Sequence, residues 1–247
     1  MGLLPGLFAA AAALAALYGL LWARPDAPPG WPRSLTKTGS VAGLALAAWV
    51  AGAPGLIVAG LALGAAGDFA LSRPGSGAFL AGMAAFAAGH LAYALGFATA
   101  PLLALAGPEG GALHISGTGA AALALLALLL GSTELWLSPH TGAFKAPVRG
   151  YVVVIGLMAA ASLLAPGTGM VGLTESLGMH NTMLLLPGVA LFVLSDLMLA
   201  LERFVLGNPA ARALLARALW PAYWLGQALI LAGSLADPGQ WWLIGKG

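Results

Sequence analysis

Apolar runs long enough to cross a lipid bilayer recur along nearly the whole chain, and they leave few folds open. Read between charged, Pro and Gly punctuation, they cover 3 to 22, 38 to 53, 55 to 72, 77 to 99, 113 to 133, 149 to 165, 182 to 201 and 212 to 234. A spanning helix needs roughly 20 apolar residues, and backbone groups in lipid must be satisfied within their own segment, so the runs predict helices. The expected fold is all-α: a polytopic membrane protein of eight transmembrane helices in a single domain, 1–247. Only 7% of the residues are charged, against about 25% in a soluble domain. The chain therefore lacks the polar surface to stay dissolved, and its short connections hold no sizeable soluble domain. The second run is short, and Gly52-Ala53-Pro54-Gly55 after it reads as a tight turn; one kinked helix through that point would leave seven spans.

Charge supplies the orientation, because Lys and Arg concentrate in short cytoplasmic loops. With eight spans, Arg24, Arg33, Lys37, Arg73, Lys145, Arg149, Arg203, Arg212 and Arg217 fall in or beside connections one, three, five and seven. Only Lys246 lies opposite, which places both termini outside. Seven spans would put Arg24, Arg33 and Lys37 against the other six. The first run has no positive n-region and exceeds a typical signal h-region, so it is expected to remain as a span. A net charge of +2 with dispersed cations gives no nucleic-acid footprint. The absence of cysteine excludes disulfides, thiolate nucleophiles and cysteine-ligated zinc.

Asp26, Glu109, Glu134, Glu175, Glu202 and Asp237 fall in loops or near span ends. Asp68 and Asp196 fall inside the third and seventh runs. A carboxylate at membrane depth costs a few kcal/mol or more, which makes each a candidate functional group. Both follow the pattern small-Asp-x-x-Leu, and both lie less than two turns before an arginine, Arg73 or Arg203. The next run carries polar groups on one face, His90 and Tyr93 in the first case, Tyr223 and Gln227 in the second. These parallels suggest two parallel four-helix halves around a central site, with the two carboxylates facing each other. The alternative is structural, with buried carboxyls bonded to Ser, Tyr or Arg to hold helices together.

Gly60, Gly64 and Asp68 share one helical face, as do Ala81, Ala85, Gly89 and Tyr93; small residues at this spacing permit close packing. Tyr93, Tyr151 and Tyr223 also suit an interfacial aromatic belt, and Trp22, Trp31, Trp136, Trp241 and Trp242 are read as belt anchors. There is no G-x-S-x-G elbow, H-E-x-x-H pair or P-loop. Gly167-Thr168-Gly169-Met170-Val171-Gly172 matches a dinucleotide fingerprint by letters alone, without a strand before it. His114, His140 and His180 have no metal-ligand spacing, so neither a metal nor a cofactor is implied.

The sequence resembles the YhhN-type lysoplasmalogenases, eight-span hydrolases of bacterial and animal membranes. The resemblance rests on Gly67-Asp68-x-x-Leu71, Phe86-x-x-x-His90-x-x-Tyr93, Pro147-Val148-x-x-Tyr151 through Met158, Phe192-x-x-Ser195-Asp196 with Arg203-Phe204, and Tyr223-x-x-x-Gln227-x-Leu229-Ile230. It covers most of the chain after the first run, with one departure at Lys37-Thr38, where the family carries Lys-Pro. It implies hydrolysis of the vinyl ether of a lysoplasmalogen to a fatty aldehyde and glycerophosphoethanolamine or glycerophosphocholine. It also implies a lysophospholipid substrate among membrane lipids, and a site opening to the cytoplasmic side of a bacterial inner membrane.

That chemistry needs an acid, a stabilising anion and a water. Two facing carboxyls in low dielectric keep one proton between them near neutral pH, as in glycoside hydrolysis, so Asp68 and Asp196 are the expected catalytic pair. His90, Tyr93, Tyr151, Tyr223 and Gln227 are the expected substrate-positioning groups, with Lys37 or Arg203 meeting the phosphate at the rim. The different-class alternative is a proton-coupled secondary transporter using the same aspartates. A third is a sensor or structural membrane protein in which the carboxyls only pair.

Overall fold

The computed structural model describes residues 2–106, 113–165, 171–173 and 182–235. Within them the chain forms α1 (Leu3–Trp22), α2 (Trp31–Val50), α3 (Gly55–Leu71), α4 (Ser76–Leu105), β1 (Leu113–Ile115), α5 (Gly117–Trp136), α6 (Lys145–Leu164), β2 (Val171–Leu173), α7 (Thr182–Ala200) and α8 (Pro209–Ser234). Among the described residues the fold is all-α apart from one two-stranded antiparallel sheet, in which His114 faces Gly172. Among the described residues, five stretches are long and apolar enough to cross a membrane: Leu3–Trp22, Ser76–Thr99, Gly117–His140, Gly142–Leu164 and Met183–Val205. Helix α3 is apolar but has 17 residues, while α2 and α8 carry Arg33, Lys37, Arg212 and Arg217 within their length.

The break after the second run is a turn. Gly52 adopts φ +70°, a backbone conformation that costs glycine little, and α3 starts directly after Pro54. Several boundaries differ from the hydropathy reading. Helix α2 starts at Trp31 instead of 38, with Pro32 in its first turn, where proline's missing N–H costs nothing. Lys37 is thereby a helical residue and not part of a loop. Helix α4 continues to Leu105 with Pro101 inside it. Residues 113–115 are a strand, and α5 starts after Ser116, whose hydroxyl accepts from the Gly119 N–H. The dinucleotide-like string ends in β2, its earlier residues lying outside the described ones, as do Glu109, Glu175, His180, Asp237, Trp241, Trp242 and Lys246. After α7 the chain makes one π turn, Leu201–Val205, closed by the Leu206 N–H on the Leu201 carbonyl.

Helices α1 to α4 pack in sequence, α4 packs on α6, α7 on α8, and α8 returns to α1, α2 and α3. The two tightest helix pairs cross on glycine. A Cβ at Gly89 would stand 3.1 Å from the Gly60 carbonyl oxygen, and one at Gly226 would stand 3.0 Å from that of Gly188. No side chain separates the backbones there, which is what small residues at a helix interface allow. On α3 and α7 the crossing glycine precedes an aspartate by eight residues, Gly60 before Asp68 and Gly188 before Asp196. The two halves thus repeat this hairpin, but the Asp-bearing helices α3 and α7 are not close-packed neighbours: α4 and α8 are the elements that connect them.

Candidate functional site

Both aspartates lie near the C-terminal ends of their helices, and each is served by two other elements. Asp68 is 1% exposed. Its Oδ1 stands 2.9 Å from the Lys37 Nζ on α2, and its Oδ2 accepts from the Tyr223 hydroxyl on α8 at 2.8 Å. The lysine contact is an ion pair lying off hydrogen-bond alignment, so Oδ1 keeps accepting capacity. Lys37 in turn lies 5.9 Å from the Tyr18 ring centre and 5.8 Å from that of Trp220, two electron-rich faces that favour its charged form. A buried charge is tolerable only when paired, and α2 brings the pair in.

Asp196 is served from α4 and α6. Its Oδ1 accepts from the Tyr151 hydroxyl at 3.1 Å, and its Oδ2 lies 3.1 Å from the His90 Nε2. The other ring nitrogen of His90, Nδ1, is 2.6 Å from the Phe86 carbonyl oxygen. A carbonyl only accepts, so Nδ1 carries a proton and donates it. Two bare acceptors would repel each other across the remaining contact, so one further proton lies between Nε2 and Oδ2, on the ring or on the carboxyl. His90 is fully buried and its ring centre is 4.6 Å from that of Phe192, which holds the imidazole in place.

Each carboxyl is thus served by a residue from the other half of the chain. His90, one helix after Asp68, reaches Asp196; Tyr223, one helix after Asp196, reaches Asp68. A lysine partner lets one carboxyl remain charged and a histidine partner lets the other share a proton, so neither has to lean on its twin. The aromatic rings of Phe86 and Phe192 fill the space between, each in edge contact with Tyr223.

The other expected residues take different places. Tyr93 donates to the Gln227 Oε1, and the Gln227 Nε2 donates to the Tyr223 hydroxyl at 3.4 Å. Both Tyr93 and Gln227 are fully buried behind Tyr223, so they brace the Asp68 arm and do not face a cavity. Neither Tyr93 nor Tyr223 is a belt residue. Lys37 is paired with Asp68 inside the site, and its partly exposed side chain also borders a polar cavity. Arg203 is at the rim, exposed, its guanidinium 5.2 Å from the Phe79 ring centre. Of the expected anchors, Trp31 is 62% exposed, whereas Trp22 and Trp136 line cavities.

Two cavities meet beside this core. An apolar cleft, about 790 Å³ with its mouth, is walled by α4, α5, α6 and α7 and reaches Tyr151 and Asp196. A polar vestibule, about 1130 Å³ with its mouth, is lined by Arg24, Arg33, Lys37, Arg73, Arg203 and Arg212. The two share Leu71, Phe79, Leu199 and Arg203. Sequence reasoning had not assigned Arg33, Arg73, Tyr18 or Trp220 to a site; the grouping of cations beside alternate connections was the signal available for the two arginines. Among the described residues no three His, Asp or Glu side chains converge as a metal centre would need.

No curated protein and no solved structure matches this chain. The model of the YhhN family matches residues 32–234. That span runs from the first turn of α2 to the last residue of α8 and takes in both aspartates with all four of their partners, so the chain belongs to the YhhN family.

Proposed function

We propose that this protein is a lysoplasmalogenase that hydrolyses the vinyl ether of a single-chain ether phospholipid within the membrane. The observation that carries the reading is the hydrogen-bonded His90–Asp196 pair, whose Asp196 lines an apolar cleft that adjoins a cationic vestibule. An amphiphile with its chain in the cleft and its phosphate in the vestibule brings the bond between them, the sn-1 vinyl ether, to the shared boundary beside Asp196.

The chemistry follows from the proton count. The His90–Asp196 pair gives its shared proton to the β-carbon of the vinyl ether, and the alkene electrons form the new C–H bond. This leaves an oxocarbenium ion facing the Asp196 carboxylate. Asp68, paired with Lys37 and accepting from Tyr223, anchors the polar arm on the other side of Phe86 and Phe192. Water adds to the cationic carbon and returns one proton to the His90–Asp196 pair. The hemiacetal then collapses: its hydroxyl proton passes to the glycerol oxygen, the C–O bond breaks, and a fatty aldehyde leaves with the glycerophospho head group. Tyr151 orients the Asp196 carboxylate throughout.

All eight long helices are taken to span the inner membrane of a bacterium with both termini outside. Supporting this is the vestibule itself, which collects six of the nine cations that the positive-inside rule assigns to the cytoplasmic face. The site then opens to the cytoplasm, and lipid enters from the inner leaflet. The test is aldehyde release from lysoplasmenyl ethanolamine, lysoplasmenyl choline and the lysoplasmenyl analogue of phosphatidylglycerol by detergent-purified protein, beside Asp68→Asn and Asp196→Asn. Release by the unmodified protein alone is expected; no release from folded protein would discard the reading.

A further inference from the structure

The vestibule holds more positive charge than the site consumes. Lys37 is matched by Asp68, and Arg212 by Glu202 at 3.0 Å from its Nε. Arg24, Arg33, Arg73 and Arg203 have no carboxylate within ion-pair distance among the described residues. Two of them present donors that are buried yet unused. The Arg33 Nη1 donates to the Ala27 carbonyl at 2.9 Å, but its Nε has no partner. The Arg73 guanidinium lies 4.1 Å from the Trp31 ring centre and 4.8 Å from that of Phe69, and its Nε and Nη2 have none. Buried guanidinium nitrogens without acceptors cost stability; both side chains line the vestibule, and a turn of either guanidinium toward an anion held there relieves that cost. Planar guanidinium forks suit phosphate oxygens in particular.

A single phosphodiester charge would leave most of these cations unmatched. A zwitterionic head group fares worse, since its ammonium would enter a positive field whose one lining carboxylate, Glu202, is already held by Arg212. Several rings at or beside the vestibule are already engaged by its own cations: Tyr18 and Trp220 face Lys37, and Trp31 and Phe69 face Arg73.

We propose that the vestibule selects single-chain phospholipids whose head group is net-negative, with Arg73 and Arg33 as the chief phosphate donors and Arg203 attracting the head group at the junction with the cleft. The assignment deepens the lysoplasmalogenase reading and rests on it for the orientation of the lipid. Binding, however, is measurable without turnover, because an acyl lysolipid has the same head group and no vinyl ether.

The experiment titrates the purified full chain in nonionic detergent with lysophosphatidylglycerol, lysophosphatidylcholine, a monoacylglycerol of the same chain length, and inorganic phosphate. Binding is followed by tryptophan fluorescence, to which Trp22 and Trp220 of the vestibule report. Lysophosphatidylglycerol should bind about 10-fold tighter than lysophosphatidylcholine and tighter still than the monoacylglycerol, with the advantage shrinking as salt rises. Arg73→Gln should remove about 10-fold of the lysophosphatidylglycerol affinity and leave the monoacylglycerol unchanged. Arg203→Gln should do the same to a smaller degree; its exposed side chain makes no hydrogen bond among the described residues, so it carries the test should Arg73→Gln fail to fold.

Equal or tighter binding of lysophosphatidylcholine, or an advantage that survives both substitutions, overturns the proposal. Inorganic phosphate that binds as tightly as the lysolipid overturns the lipid assignment in favour of a free-phosphate site. Head-group discrimination without any vinyl ether hydrolysis would sink the enzyme reading and leave the vestibule standing. Hydrolysis without discrimination would do the reverse.

Discussion

His90 reaches across the molecule to Asp196, 106 residues further along the chain, and its Nε2 stands 3.1 Å from that carboxylate while its Nδ1 is held by the carbonyl of Phe86. The two side chains share one hydrogen bond. Asp196→Asn removes the acid, and His90→Ala removes the group that shares its proton. Each should lower turnover about a hundred- to ten-thousand-fold, the range for a positioned acid or base. A purely structural pair would instead lose stability and activity together, so aldehyde release is to be measured beside the melting temperature of each variant.

Lys37 and Asp68 form the other arm, and their removal should be strongly non-additive. Lys37→Met leaves a buried carboxylate without its cation and should destabilise by about 3–5 kcal/mol. Adding Asp68→Asn should restore much of that loss, because no uncompensated charge remains. A double-mutant cycle on detergent unfolding checks this; additive losses would show that the ion pair is not coupled.

The glycines divide by what a methyl group would meet. At Gly188 a Cβ would stand 2.7 Å from the backbone nitrogen of Ile230, so Gly188→Ala forces α7 from α8 and should cost about 1–3 kcal/mol. At Gly64 it would stand 2.8 Å from the Gln227 Nε2 and 3.4 Å from the Tyr223 hydroxyl, so Gly64→Ala should depress activity through the Asp68 arm. Gly150 has open space around it, and Gly150→Ala should be silent in both assays. The three variants are to be compared in melting temperature and in turnover.

Tyr93→Phe removes the donor to Gln227 and leaves a fully buried amide oxygen unmatched, at a cost of about 1–3 kcal/mol. Because Tyr93 acts on Asp68 only through Gln227 and Tyr223, turnover should fall far less than in Asp196→Asn. Kinetics with the same lysoplasmalogen separate the two cases; an equal loss would put Tyr93 in contact with substrate.

Hydropathy alone marked this chain as a helical membrane protein, separated α2 from α3 at Gly52 and Pro54, and singled out Asp68 and Asp196 as carboxylates at depth. These are local properties: the bilayer penalises polar groups segment by segment, so each run declares itself without reference to the others. Helical spacing likewise singled out His90 and Tyr223, while Tyr151 came from the family resemblance and Lys37 from its place at the expected rim. Which of them serves which aspartate was decided by tertiary structure. The glycine crossings of α3 on α4 and of α7 on α8, with α4 on α6 and α8 on α2, exchange the partners of the two halves, and no helix carries that information in its own periodicity. The same holds for Arg33 and Arg73. Along the chain they are charges in or beside connections, obeying an orientation rule; only the packing of α1, α2, α3 and α8 sets both side chains along one vestibule with guanidinium nitrogens left unpaired.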